Sequence, residues 1–329
     1  MSPLTRTMRA VTQQRYGGTD RLVLAEVPVP SPGPGEALVR VEAAGVDRGV
    51  WHLMTGRPYL MRVIGFGLRG PKSAPGMDLA GTVAAVGAGV TGLAVGDDVV
   101  GIGTGAFAEY AVAPAAKLVA RPASVSAVRA AAVPVSGITA LQAVRAAGIE
   151  PGQSVLVLGA AGGVGSFALQ LARHHGGEVT GVCSAAKREF VEGLGAARVV
   201  AYDEGGTAGL GPFDAIIDTG GLRSLRELRT MLAPRGTLVI VGGEGGGPLL
   251  GGIGRAVGAS LLSRFVAQEL VMLMSDEDPD DLAALAALLA SGAVVPQVER
   301  TFTLAETAAA VDHLAAGNAV GKVVVVTRS

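Results

Sequence analysis

Residues 154–165, Ser-Val-Leu-Val-Leu-Gly-Ala-Ala-Gly-Gly-Val-Gly, decide how this chain folds. A short apolar run gives way to Gly159, Gly162, Gly163 and Gly165, and the hydrophobic period then changes. Val164, Phe167, Ala168 and Leu171 fall at i, i+3, i+4 and i+7, one face of a helix. A buried strand that turns through glycines into a helix offers free backbone N–H groups and partial positive charge to an anion. The loop, with Ala160 and Val164 in it, is therefore predicted to hold a dinucleotide pyrophosphate. The plain alternative is a tight strand–helix connection that uses the same glycines for packing alone.

The next apolar run ends in Cys183 and Ser184, with Lys187 and Arg188 close behind. An NAD site places a carboxylate there, roughly 20 residues past the glycines, on the ribose 2′-hydroxyl. A thiol, a hydroxyl and two cations suit a 2′-phosphate better. Cations at a helix start otherwise oppose the macrodipole, an oddity that a nearby phosphate removes. Tyr202, after the third strand of the unit, is placed to close the adenine side. The pattern predicts NADPH.

Further strand-like runs recur at 179–182, 198–201, 215–218 and 237–241, with helical stretches between several of them, 222–232 for instance. Such alternation predicts an α/β protein with a doubly wound parallel Rossmann sheet. The first third reads differently: apolar runs at 8–11, 22–27, 37–44, 79–86 and 98–102 are separated by Gly/Pro clusters, as in a small antiparallel barrel or sandwich. Late in the chain, 270–274 reads as an apolar edge strand. A helix follows with Asp278 as N-cap and Pro279 first, stopped by Gly292. Thr303 and Glu306 form a capping box before the last helix, and 321–326 forms a final strand. The expected organisation is a first domain over 1–122, a dinucleotide-binding domain over 123–290, and a return to the first domain over 291–329.

The chain of 329 residues is 49% hydrophobic and 17% charged, which argues against disorder. A net charge of −1 gives no electrostatic reason to expect nucleic acid or a membrane surface as partner. The uncharged windows 79–96 and 154–172 are broken by glycines and read as packed turns, not as membrane spans. The basic start carries Arg6, Arg9 and Arg15, but a first strand near residue 8 leaves too little room for a targeting leader. Cys183 is the single cysteine, so an internal disulfide is impossible and a reducing, cytoplasmic setting is expected. The four histidines are scattered without ligand spacing, and no Gly-x-Ser-x-Gly elbow occurs.

Taken in order, Met8-Arg-Ala-Val, Glu26-Val-Pro-Val-Pro-Ser-Pro-Gly-Pro-Gly-Glu, Gly76-Met-Asp-Leu-Ala-Gly, Val95-Gly-Asp-Asp-Val, Gly105-Ala-Phe-Ala-Glu-Tyr and the Gly159–Gly165 loop resemble one family. It is the zinc-independent branch of the medium-chain dehydrogenase/reductase superfamily, the quinone oxidoreductase-like enzymes. The resemblance spans essentially the whole chain and implies a GroES-like, mostly antiparallel catalytic domain beside the Rossmann domain. Where zinc alcohol dehydrogenases carry catalytic ligands, the matching positions are Asp47, Met77, Asp78 and Val135, and the four-cysteine structural lobe is absent. The resemblance therefore implies metal-free hydride transfer.

The implied reaction is reduction by NADPH of a quinone or an α,β-unsaturated carbonyl, a small electrophilic substrate. Thr139, Val241 and Gly242 are expected to fix the nicotinamide. Tyr59 resembles a cleft tyrosine that donates a proton in related enoyl reductases; its other reading is an aromatic lid. Asp47 stands where relatives often have Asn. It either faces the substrate, kept protonated by burial, or salt-bridges Arg48 or Arg57. Phe265 either borders the substrate or is core. Three alternatives stay open: an enoyl-thioester reductase with a basic mouth of Arg57, Arg62, Arg69 and Lys72, NADPH-linked carbonyl or alcohol redox chemistry, which the absent zinc weakens, and a non-enzymatic NADPH-binding regulator. The unpaired apolar edge at 270–274 predicts a homodimer.

Overall fold

Apolar alternation and Gly/Pro turns yield antiparallel strands through the first third, as their spacing requires. The computed structural model describes residues 6–207, 209–242 and 247–327. The chain opens with β1 (Thr7–Thr12) and β2 (Val23–Pro28), paired with each other, then β3 (Glu36–Val46) and α1 (Arg48–Thr55). After these come β4 (Asp78–Val86), β5 (Asp98–Ile102), β6 (Tyr110–Pro114), β7 (Leu118–Ala120) and the short α2 (Ala127–Ala131). The period then changes to strand and helix in turn: α3 (Pro134–Ala147), β8 (Ser154–Leu158), α4 (Gly163–His174), β9 (Glu178–Cys183), α5 (Arg188–Gly193) and β10 (Arg198–Ala201). Next are β11 (Phe213–Asp218), α6 (Leu225–Met231), β12 (Leu232–Ile240), α7 (Ile253–Leu262) and β13 (Glu269–Met272). The tail holds α8 (Pro279–Ala290), β14 (Val298–Thr303), α9 (Thr307–Ala315) and β15 (Lys322–Val326).

Strands β8 to β13 form a six-stranded sheet in the order β10-β9-β8-β11-β12-β13, with every pairing parallel. That is the order 3-2-1-4-5-6 of two βαβαβ halves, the doubly wound Rossmann sheet. Val155, Leu156, Val157, Ile216, Ile217, Leu238 and Val239 are fully buried along it. Each such side chain contributes about 1.5–3 kcal/mol by leaving water. No helix among the described residues is long and apolar enough to cross a membrane. The two uncharged windows are β4 with its turns, and β8 running into α4.

The other sheet has seven strands, β14-β15-β3-β4-β5-β7 with β6 also on β3, antiparallel except for β14 beside β15. Here β3 is central, and its core positions Val39 and Val41 pack with Leu79, Phe107, Val323 and Val325. The tail returns as expected: β15 pairs with β3, Val323 opposite Val46 and Val326 opposite Ala43.

Contacts divide the chain into a first unit, which runs to Val135 and resumes at Glu277, and a second unit, Ser136–Asp276. These divisions differ from the expected limits at 122/123 and 290/291, and packing explains both shifts. Helix α2 packs on β3 and β4, and α8 packs on β7, so each helix joins the first unit. Within the second unit, the helix expected at 222–232 starts only at the Ser224/Glu227 capping box, leaving Leu222 81% exposed. Asp278 caps α8 as read, accepting from the Asp280 N–H at 2.9 Å.

Candidate active site

In the second unit, β8 delivers the glycine loop to the first turn of α4. Gly159 takes φ +77°, and the N–H groups of Gly159 and Ala160 both donate to Val182 O of β9, at 3.1 and 3.0 Å. Gly162 is the N-cap of α4, and Ser166 is the first residue to donate back to it. The N–H groups of Gly163, Val164 and Gly165 thus lie in the opening turn, where no carbonyl of their own helix can reach them. Gly165 is the tight point: a Cβ there would sit 2.1 Å from Gly159 O. Gly162, Gly163 and Val164 remain partly exposed at the surface of this turn. The cradle fits a pyrophosphate.

At the carboxyl end of β9, Cys183 is buried, and burial is the main force pushing its thiol pKa up. Ser184 and Lys187 follow in one turn, with the Lys187 N–H donating to Ser184 O at 3.0 Å. The Tyr202 N–H donates to Cys183 O at 3.0 Å, which ties the 55%-exposed Tyr202 to the same edge. Ser184, Lys187 and Tyr202 are therefore neighbours through the backbone, as the sequence implies. Two details were not foreseen. Arg188 pairs with Glu204 at 2.5 Å, and Asp203 accepts from the Ala185 N–H at 2.8 Å. A carboxylate does reach this corner, from just beyond β10, and one of its oxygens accepts from backbone.

The end of β11 and helix α7 carry a pair that sequence reasoning missed. Asp218, 1% exposed, takes Arg255 Nη1 at 2.7 Å and the Gly221 N–H at 3.0 Å. The Asp218 carbonyl accepts from both Val241 and Gly242, and Arg255 Nη2 donates to Gly242 O at 2.9 Å. This network sets the positions of Val241 and Gly242; the loop beyond, 243–246, lies outside the described residues. Thr139 donates to the Ser275 hydroxyl at 3.2 Å. Phe265 is 84% exposed in the turn after α7, which removes its core reading.

In the first unit, Tyr59 is 38% exposed, with the guanidiniums of Arg62 and Arg57 at 4.7 and 5.9 Å from its ring centre. Asp47 meets a partner that the sequence did not suggest. Arg48 donates to Leu314 O and Ala315 O, Arg57 lies over Tyr59, and Asp47 forms an ion pair with Lys322. Asp47 is 8% exposed and Lys322 1%. Although Asp47 is the N-cap of α1, its side chain makes no cap hydrogen bond. Asp78 Oδ2 lies 3.8 Å from the same ammonium, and Asp78 Oδ1 accepts from the Val135 N–H at 3.1 Å. Burial, then the neighbouring Asp47, holds the Asp78 carboxyl pKa well above the usual carboxylate range, against the pull of Lys322 and Val135. The signal for Lys322 was a lysine at the head of an otherwise all-valine run, Lys322–Val326.

This cluster does not fit a catalytic metal. Of the four positions that the family resemblance aligns with zinc ligands, Asp47 and Asp78 already face an ammonium. Val135 offers no side-chain donor, and the Met77 thioether is a poor zinc ligand. Among the described residues no three His, Cys, Asp or Glu side chains are grouped to hold a metal ion.

Comparison with known proteins agrees with this architecture. Residues 33–123 match the family model described as alcohol dehydrogenase GroES-like domain, and residues 194–325 the one described as zinc-binding dehydrogenase. The chloroplastic quinone-oxidoreductase QR1 of Triphysaria versicolor is 31% identical over 97% of this chain and 98% of its own length. The 2-methylene-furan-3-one reductase of Solanum lycopersicum is 32% identical over 65% of this chain and 57% of its own. The solved structure of the quinone oxidoreductase from Coxiella burnetii superposes with a TM-score of 0.84 at 26% identity, covering 98% of this chain and 100% of that one. On these family models, this identity over nearly the whole of both chains and this shared fold, the chain is an oxidoreductase of the medium-chain dehydrogenase/reductase superfamily and belongs to its quinone oxidoreductase-like branch.

Proposed function

We propose that the chain is an NADPH-dependent, metal-free reductase of quinones and α,β-unsaturated carbonyls. One observation carries this reading: the positions that would seat a Lewis acid are closed around Lys322. Without a metal to polarise a simple ketone, the favoured acceptors are already electron-poor, and conjugated carbonyls and quinones are. The relatives named quinone-oxidoreductase and 2-methylene-furan-3-one reductase support the same substrate class.

When bound, NADPH supplies the hydride, and the chain supplies position. Gly163, Val164 and Gly165 would hold the pyrophosphate by backbone N–H groups. Ser184 and Lys187 would take the 2′-phosphate, and Tyr202 the adenine side. Thr139, Val241 and Gly242 would border the nicotinamide. Tyr59 is assigned the hydrogen bond or proton to the carbonyl oxygen, while Asp47, buried on Lys322, is assigned to holding α1.

NADPH oxidation followed with 1,4-benzoquinone, simple enones and a crotonyl thioester tests the activity. Turnover of the first two is expected. Tight NADPH binding with no turnover on any acceptor would instead favour a regulatory binding protein. Preference for the thioester would favour the second reading, which the stretch 48–77 supports because it holds five Arg/Lys and no acid. In that stretch Arg62 is tied to Thr55 O and Gly56 O at 2.9 and 2.8 Å, whereas Arg69 and Lys72 are exposed.

Two variants probe the assigned residues. Lys187→Ala should raise the NADPH Kd about tenfold and leave the NADH Kd within about twofold, since one charge-assisted contact to phosphate is lost. Calorimetry showing equal changes for both would remove the 2′-phosphate assignment. Tyr59→Phe should lower kcat about tenfold with NADPH binding unchanged; at 38% exposure, water can stand in for the lost hydroxyl. An unchanged kcat would return Tyr59 to a packing role.

A homodimer through β13 is part of this reading. That strand ends the sheet, and Val257, Leu261, Phe265 and Met274 of the same unit are exposed apolar side chains. The exposure of Phe265 suits such a surface better than a substrate wall. Gel filtration at micromolar concentration should give twice the monomer mass; a monomer would count against the interface. The single cysteine, Cys183, is buried and suits a reducing compartment, so we assign the chain to the cytoplasm.

A further inference from the structure

Lys322 is a lysine inside the core of the first unit, at the head of a strand whose other residues are valines. A buried ammonium is tolerated only when it is well paired. Its partners come from two other elements: Asp47 at the start of α1 and Asp78 at the start of β4. The Val135 N–H closes the far side of Asp78. The wall behind is tightly packed, since a Cβ on Gly45 would meet Ala131 O at 2.4 Å and Asp78 Oδ2 at 3.0 Å. The family resemblance aligns Asp47, Asp78 and Val135 with three of the four metal ligands of zinc alcohol dehydrogenases. The fold has thus gathered those positions around a charge of its own.

We propose that Lys322 is the resident cation of this site, its ammonium joining α1, β4 and β15 at the positions where a zinc relative holds a metal. The inference rests on the metal-free reading and deepens it by naming the group that takes the ion's place. Lys322 is a positioning residue: through Asp47 it anchors α1, the helix that leads by way of Gly56 to Tyr59. A lysine kept only for its packing volume would be replaceable by a neutral chain of the same length. A resident cation is replaceable only by another cation, or by removal of the charge that it balances.

The test uses the full chain. Lys322→Met keeps the volume and leaves the buried carboxyls of Asp47 and Asp78 without their counter-charge, so its Tm should fall by about 10 °C. Adding Asp47→Asn removes one of those carboxyls and should restore at least half of that loss. Lys322→Ala leaves a cavity the size of propylammonium. Propylammonium chloride should raise the Tm of that variant, while 1-propanol and sodium chloride at matched concentrations should not. A Lys322→Met variant as stable as the parent would overturn the proposal, as would a double variant no better than the single one, or equal rescue by the alcohol. If Lys322→Met fails to fold, recovery of a folded protein on adding Asp47→Asn supports the proposal, and failure of both overturns it. Metal analysis of the parent protein separates the two readings. Stoichiometric zinc there sinks the metal-free function itself, whereas a zinc-free parent indifferent to Lys322→Met sinks this inference alone.

Discussion

Gly165→Ala is expected to weaken NADPH binding about 1,000-fold. The added Cβ would lie 2.1 Å from Gly159 O, 2.8 Å from Gly159 C and 3.0 Å from Ala160 Cα. All three atoms are backbone, so no side chain can swing aside. Either the loop lifts or the start of α4 retreats, and both movements take the Gly163–Gly165 N–H groups away from a bound phosphate. Losing two charge-assisted hydrogen bonds, at about 2 kcal/mol each, corresponds to about three decades of affinity. Gly162 gives the contrast: a Cβ there meets only Gly159 O, at 3.3 Å. Gly162→Ala should therefore keep its Tm within about 2 °C. Fluorescence titration with NADPH, beside thermal melts, separates the two variants. Parental affinity in Gly165→Ala would mean that this loop does not carry the cofactor.

The same loop shows what was legible in the sequence. Its geometry is local: strand, glycine turn and helix lie within about twenty residues, and hydrophobic period alone orders them. The doubly wound parallel sheet followed from the alternation of strand and helix, and the return of the tail from a strand left over after the dinucleotide unit. The pair that Asp47 makes with Lys322 was out of reach for the opposite reason. Its partner, Lys322, is 275 residues away, and no pattern around position 47 points to it. Sequence neighbours Arg48 and Arg57 look like the natural counter-ions; Arg48 donates to Leu314 O and Ala315 O, and Arg57 lies over Tyr59. Asp203 escaped notice similarly. The expected carboxylate was sought at the end of the second strand, and the chain supplies one across the sheet from the third. The domain limits moved because α2 and α8 look like connecting helices in sequence, yet each buries its apolar face on strands of the first unit. Helix α7 lay hidden behind a glycine-rich stretch from Gly242 to Gly254, where no periodic signal survives.

That glycine-rich stretch separates the two halves of the buried pair whose loss should affect stability most. Arg255→Met is expected to destabilise the second unit by about 3–5 kcal/mol, the usual effect of orphaning a buried charge. The guanidinium does three things at once. It neutralises Asp218 at 2.7 Å, satisfies Arg223 O at 2.8 Å and satisfies Gly242 O at 2.9 Å. Methionine fills similar volume and replaces none of these contacts. Asp218→Asn should be milder, because the amide oxygen still accepts from the Gly221 N–H while no buried anion remains. The double variant should then cost less than the sum of the singles, since Arg255→Met no longer strands a carboxylate; the difference is the coupling of the pair. Urea unfolding measures all three. Because Arg255 also sets Gly242 on the β12 end, nicotinamide placement should suffer even where the fold survives, and kcat should fall further than NADPH affinity. A loss below about 1 kcal/mol in Arg255→Met would show that water reaches Asp218 and that the pair contributes little. An unchanged kcat in a folded Arg255→Met would show that the β12 end does not govern where the reacting ring lies.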